Sequence, residues 1–490
     1  MNNLRLTGHP LVDVGIATIT AFAGRHDPSQ VTEADLEAVA DYMARNYVVN
    51  PLQSFLTVAF PNSGFTQPAY NKTPERRAAY AERVLRAFRP GTPTLTDQRC
   101  VFTGLPAVAL SLGEKETLPP GRAFRQHIPL TTGEDVINFH PYGDAGLPVS
   151  GIALLALQSF PLGCAKVQGR LLAVHADDPD LTLRFARRFL EQNRKLIHDA
   201  HLAGETKIPE PAHRVGTLLV GTLLEIEKER QEAREEQGGP ASITAYHISN
   251  IGANPDLDIY HLPLEISDFI RSVPTPQYRF AWDALRQRGW EITQARRRKA
   301  GDATLPRYNT LYEDLLRLPD GVAAFVRTYF LRVPRRRVRA GDPTATYSIR
   351  SEAHLVSWDL TDLFLRKVVG MDRLRIEHVR AMGDALAGHV QSENDRRLFQ
   401  VLLTSNRYGD VRVALIKASQ AQMRRGRPPL VSFDQFVAVF EAGEDLPYGD
   451  WRLARDLVLI RMIEQLHAAG WIKSHAEELL EPQLEEAVAE

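Results

Sequence analysis

The chain has 490 residues, 44% hydrophobic and 24% charged, with a formal net charge of −1 at pH 7. That length holds about two to four domains, and the composition is that of an ordinary globular protein, not of a disordered or fibrous chain. Its two cysteines supply no disulfide framework, the start Met1-Asn-Asn-Leu-Arg lacks a basic-then-apolar leader, and apolar runs such as Ile152 to Leu157 are too short to span a bilayer. A cytoplasmic protein is expected.

Leu11, Val12, Val14, Ile16, Ile19 and Phe22 predict a first helix over 6–24, stopped by Gly24. Thr32 and Asp35 form a capping pair for a second helix to about Val48, ended by Pro51. Ser54 to Ala59 alternates and predicts a strand before the turn at Pro61-Asn-Ser-Gly64. Pro74 to Phe88 reads as a basic amphipathic helix. From Pro90 to Gly151 glycine and proline dominate, and so long an irregular stretch is usually functional, metal-held or partner-bound. A buried helix over Gly151 to Leu162 follows, closed by Pro161 and Gly163. Then come a strand over Leu171 to His175, a long helix over Asp180 to His201, and a helix over Val215 to Glu236 ending at Gly238-Gly239-Pro240. Strands Ile243 to Ile248 and Leu257 to His261 bracket the loop 249–256, and helices dominate from Pro263. The expected fold class is α+β: a mixed N-terminal region, then an all-α C-terminal bundle.

Inside the irregular stretch, Cys100-Val-Phe-Thr103-Gly104 and Leu147-Pro-Val149-Ser-Gly-Ile152 have the layout of two zinc knuckles. Such a site needs two C-x-x-C turns, because each points two thiolates at one tetrahedral ion. Thr103, Val149 and Ile152 stand where three of the ligands would be. No metal and no other cofactor is expected. A buried cysteine beside a turn is the plainer account.

Charge is unevenly spread. Residues 271–350 hold 17 Lys and Arg against 7 Asp and Glu, a balance of +10, whereas residues 371–490 hold 15 against 19, a balance of −4. Arg296-Arg297-Arg298-Lys299 and Arg335-Arg336-Arg337, flanked by Arg332 and Arg339, form a basic stripe suited to phosphate; the alternative is a solvated arginine-rich surface. The loop Ser249-Asn250-Ile-Gly252-Ala-Asn254 is the candidate base reader. An asparagine amide both donates and accepts in one plane, and Gly252 permits close backbone approach; equally, these residue types form turns. Lys72, with Arg76 and Arg77, begins a helix that contacts nucleic acid or is merely solvated. Arg122, Arg125 and His127 make a candidate exposed basic hook for opening duplex. Arg424-Arg425-Gly-Arg427 lies between two helices and is placed to track a displaced strand. His198 and His201, three apart on a helix, read as surface histidines. No P-loop, G-x-S-x-G, H-E-x-x-H or tight carboxylate cluster is present, and no enzymatic activity is expected.

Three segments in order resemble one family: Leu6-Thr7-Gly8-His9-Pro10-Leu-Val-Asp13-Val-Gly15; Asn138-Phe-His-Pro-Tyr-Gly143 through Leu154-Leu-Ala-Leu-Gln158-Ser-Phe-Pro161-Leu-Gly163; and Tyr246-His-Ile-Ser-Asn250-Ile-Gly-Ala-Asn254-Pro into Ile259-Tyr260-His-Leu-Pro263. They are similar to the large subunit of type I-B CRISPR Cascade complexes of the CXXC-CXXC type, over roughly residues 5–370, with the cysteine pairs eroded. The resemblance implies a non-catalytic subunit that recognises the protospacer-adjacent motif, binds target DNA and assists R-loop formation. It implies guide RNA, target double-stranded DNA, the other Cascade subunits and a helicase-nuclease or transposition adaptor as partners. An RNA- or protein-binding scaffold without target-DNA readout is the alternative. The chain is expected to divide into an N-terminal region (1–95), a degenerate CXXC-CXXC insertion resembling a zinc ribbon (96–165), a mixed region with the basic stripe (166–370) and a small-subunit-like helical bundle (371–490). Related systems make their small subunit by internal translation, for which Met371 is the candidate start.

Overall fold

A computed structural model describes residues 4–112, 120–131, 146–210, 214–233, 239–251, 255–290, 308–335, 338, 341–441 and 447–479. It is mixed α/β, with small antiparallel sheets and a helical C-terminal region. The chain forms two compact units: Met1–Val215 with Glu236–Leu264, and Gly216–Glu235 with Glu265–Glu490. The divisions expected at 95, 165 and 370 are therefore not where the units part. The described residues between 96 and 165 share one core with the N-terminal helices, and the helices after 371 belong with those before it. Among the described residues no helix is long and apolar enough to cross a membrane.

The first unit is built around α1 (Pro10–Phe22), whose residues 11–20 are all buried. A helix buried all round has no polar face to show, and its two buried threonines satisfy their own hydroxyls: Thr18 donates to the Val14 carbonyl at 2.6 Å and Thr20 to that of Ile16 at 2.8 Å. Gly24, at φ +67°, ends it as expected, with its N–H on the Ala21 carbonyl and that of Arg25 on Thr20. At the other end, buried Asp13 accepts from the Thr7 and Gly8 amides and the Thr7 hydroxyl, and lies 3.3 Å from His175 Nε2. Burial pushes its carboxyl up, but these hydrogen bonds together hold it below the ordinary aspartate value.

Around α1 stand α2 (Glu33–Asn46), α3 (Leu52–Leu56) and α4 (Pro74–Leu85). The capping box of α2 is present in both directions between Thr32 and Asp35. The strand expected over 54–59 is not formed: the Phe55 N–H returns to the Pro51 carbonyl at 3.2 Å, giving a helical turn followed by further turns. Phe55, Leu56, Val58, Ala59 and Phe60 are all buried, so the apparent alternation marks no sheet face. Short strands β1 (Thr94–Arg99) and β2 (Pro106–Val108) pair, as do β3 (Arg122–Ala123) and β4 (Leu147–Pro148). Then α5 (Gly151–Ser159), buried throughout, packs on α1. The main sheet is antiparallel, in the order β5 (Ala165–Val167), β6 (Arg170–Ala176), β7 (Ile243–Ser249), β8 (Asp256–Leu262). The long helix α6 (Pro179–Leu202) packs on β6 and α1. Among the described residues β8 pairs only with β7, and its Ile259 is 58% exposed. Arg170 bridges to both Asp256 and Asp258 on this edge strand.

The second unit is helical. It comprises α7 (Val215–Glu232), α8 (Leu264–Ser272), α9 (Pro276–Arg288), α10 (Thr310–Leu315), α11 (Val322–Phe325), α12 (Ile349–Glu352), α13 (Trp358–Phe364), α14 (Arg373–Glu393), α15 (Arg396–Thr404), α16 (Tyr408–Arg424), α17 (Phe433–Phe440), α18 (Trp451–Ala468) and α19 (Trp471–Ser474). Here α18 is the central helix, buried over most of its length and packed on α14, α15 and α17. Met371 lies just before Asp372, whose carboxylate caps α14.

Candidate nucleic-acid interface

The two knuckle-like segments meet. Cys100 donates its N–H to the Leu105 carbonyl at 2.8 Å and accepts from Gly104 at 2.9 Å, with Gly104 at φ +68°. This tight turn requires the left-handed conformation that glycine adopts freely. The Val101 N–H then reaches the Pro148 carbonyl at 3.1 Å, and the Thr103 and Ser150 hydroxyls lie 3.0 Å apart. Cys100, Val149 and Ile152 are buried in the same core. A main-chain hydrogen bond, a hydroxyl pair and apolar contacts hold the two segments together. Among the described residues no group of three or more His, Cys, Asp or Glu is placed to hold a metal. Cys164 lies elsewhere in the core; its Sγ–H donates to the Phe160 carbonyl at 3.1 Å, and burial pushes its thiol well up.

The candidate reading loop is tied down at its start. Ser249 is buried, and its Oγ accepts from the Ile251 amide at 3.3 Å. Asn250 is 1% exposed. Its backbone N–H donates to Val58 O at 2.8 Å, its Nδ2 to Ala59 O at 3.2 Å, and the Arg125 guanidinium donates to its carbonyl. This corrects the expectation that Asn250 reads bases: its amide is a clasp joining the β7–β8 hairpin to the segment after α3, and a base edge meets no exposed part of it. Asn254 lies outside the described residues, as do the opening residues of the second resembling segment, from Asn138 to Gly143.

The basic hook is corrected in the same way. Arg122 and Arg125 are partly buried, and His127 is fully buried, stacked on Tyr80 with ring centroids 6.0 Å apart and edge-on to Phe124 at 4.8 Å. Burial drives its imidazole down to about 3, so it is neutral at pH 7 and carries no charge for phosphate. Lys72 is exposed at the end of a short 3-10 turn before α4, while Arg76 lies over the Tyr70 ring and Arg77 donates to the Val48 carbonyl.

Much of the described part of the basic stripe is already paired with carboxylates. Arg332, 0% exposed and at φ +63°, bridges to Glu352 at 2.6 Å and lies 3.5 Å from the Tyr347 ring centroid. Arg288 shares Glu352, Arg327 pairs with Asp456 at 2.8 Å, and Arg335 bridges Asp314 and Asp342 and donates to the Tyr329 hydroxyl. The +10 balance thus overstates the charge this segment offers outward. Arg335 in particular is a structural bridge, not a free phosphate contact. Arg296, Arg297, Arg298, Arg336 and Arg337 lie outside the described residues. After α16, Arg425 and Arg427 both pair with Glu393, and the Arg425 hydrogen bond holds that carboxyl below the usual glutamate value. Arg424 is exposed and has no ion pair among the described residues.

One feature the sequence did not disclose lies on α6. Arg194, His198 and His201, at i, i+4 and i+7, line a cavity of about 380 Å³ with Tyr42 and Asn46 from α2 and Asn50 from the turn after it. Helical spacing of the three basic side chains was the available signal. The histidines are exposed, as expected, but they face a concavity. Comparison with protein-family models, with curated proteins and with solved structures finds no match to this chain.

Proposed function

We propose that the chain is a non-catalytic, nucleic-acid-binding large subunit of an RNA-guided effector complex, whose work is to sense a short motif beside the target, hold duplex phosphate and assist strand opening. In such a division of labour, base pairing with the guide reads sequence while the protein reads shape and a short motif. The observation that carries the reading is the convergence of the three resembling segments: residues from 6–15, from 147–163 and from 246–250 contribute to or pack on one core in the first unit. The meeting of the Cys100–Gly104 turn with residues 147–150 supports treating it as a metal-free remnant of a zinc-ribbon-like insertion. A second reading, an RNA- or protein-binding scaffold, draws support from the pairing of Arg288, Arg327, Arg332 and Arg335 with carboxylates.

The test is binding of the assembled complex, with its guide, to duplexes randomised beside the target, across a salt series. Wild type is expected to prefer a short motif. Replacing Arg296, Arg297 and Arg298 together by Gln should weaken binding to all sequences alike and flatten the salt dependence by about one unit of slope for each phosphate no longer neutralised. A complex that assembles with guide RNA yet shows neither motif preference nor an altered slope favours the scaffold.

A further inference from the structure

The cavity between α2 and α6 has the chemistry of an anion site. Arg194 lies over the Phe22 and Tyr42 rings, at 5.3 and 5.8 Å from their centroids, and has no hydrogen bond or ion pair among the described residues. The rings fix the guanidinium in place through its face, which leaves its N–H edges unspent. A planar fork of donors is suited to the paired oxygens of a phosphate. One and two turns further along α6, His198 and His201 add further nitrogen donors on the same wall. No Asp or Glu is among the described residues lining it, so nothing within neutralises Arg194.

The opposite wall is suited to a base. Val49, Pro51 and Leu52 supply apolar surface. The Asn46 amide spends its Nδ2 on the Tyr42 carbonyl at 2.7 Å, leaving its oxygen to accept, and the Asn50 side chain makes no hydrogen bond among the described residues. The volume, about 380 Å³, falls within the range of roughly 300–1,000 Å³ typical of small-ligand pockets.

We propose that this cavity binds a single nucleotide unit, its phosphate on Arg194, His198 and His201 and its base against Pro51 and Leu52 beside Asn46 and Asn50. The ligand class rests on the nucleic-acid reading above; the location rests on the cavity alone. The same chemistry has two sources, a free nucleotide or the phosphorylated end of a strand.

Calorimetric titration of the full-length chain distinguishes them, using AMP, a short 5′-phosphorylated RNA and the same RNA without its phosphate. The phosphorylated RNA is expected to bind about tenfold more tightly than its dephosphorylated form, and Arg194→Gln to abolish that difference. His198→Gln with His201→Gln should lose part of it. Since these side chains are exposed, the melting temperatures of the variants should match wild type, which separates lost binding from lost folding. AMP binding as tightly as the RNA identifies a free nucleotide as ligand; binding of RNA alone identifies a strand end. The proposal is overturned if neither probe distinguishes wild type from Arg194→Gln. Motif-dependent duplex binding by the assembled complex is scored in parallel. If it persists while the Arg194 effect is missing, only the cavity assignment falls; if it is missing while AMP binding depends on Arg194, only the targeting role falls.

Discussion

His127 shows how one buried group makes stability depend on pH. Its imidazole titrates at about 3 in the folded chain, because burial disfavours the charged form, against about 6.5 when unfolded. Between those values the unfolded chain binds the additional proton, so stability is intact above pH 6.5 and declines as pH falls toward 3. At pH 5 the loss is on the order of 2 kcal/mol. Phe in its place can keep the contacts with Tyr80 and Phe124 and cannot titrate. Urea midpoints at pH 7.5 and pH 5 should therefore converge in His127→Phe relative to wild type; equal pH slopes would mean that the ring accepts a proton without unfolding. Residue type alone did not disclose this burial. His127 follows two arginines in a polar-looking loop, and only the aromatic rings of α4 and residue 124, brought together by the fold, make it a core residue. Asn250 and Arg335 share the same difficulty: a sequence shows a polar group but not the partner that occupies it.

Helix contacts are set by glycines in the first unit. A Cβ on Gly15 would lie 2.0 Å from the Ala156 carbonyl oxygen, so α1 and α5 touch through their backbones. Gly15→Ala should cost about 3 kcal/mol, since neither helix can yield without disturbing a close-packed core. Gly388, exposed in the C-terminal half of α14 with nothing within 4 Å of an added Cβ, provides the contrast. Ala there should stabilise by about 0.8 kcal/mol through helix propensity. Chemical denaturation of both variants checks the pair, and a neutral Gly15→Ala would refute the close approach. Elements of this kind were legible where local signals agreed: the Thr32–Asp35 capping box, the Gly24 stop, and the positions of β7 and β8. They were not legible over residues 54–59, where every large apolar side chain is buried and neither helical nor strand period survives.

At the scale of the molecule, the chain leaves the first unit after Val215, contributes α7 to the second, and returns to lay down β7 and β8. Composition and linker signals could not reveal this re-entry, because Gly238-Gly239-Pro240 reads like any boundary. Simple truncation at 215 removes the strand that pairs with β6 over six residues, Leu171 to Ala176, and should give no cooperative melt. A variant of residues 1–264 with 216–235 replaced by a Gly–Ser linker should melt cooperatively, as calorimetry can establish; failure of both would show that the first unit needs α7. The outer strand of that sheet also governs how copies of the protein treat one another. An edge that is unpaired among the described residues and carries Leu257 and Ile259 is a template for polymerisation. Two molecules aligned along β8 would bring Asp256 and Asp258 of each into one row, with Arg170 able to offset only one charge in each pair. The resulting repulsion makes this edge a gatekeeper against self-assembly into fibres.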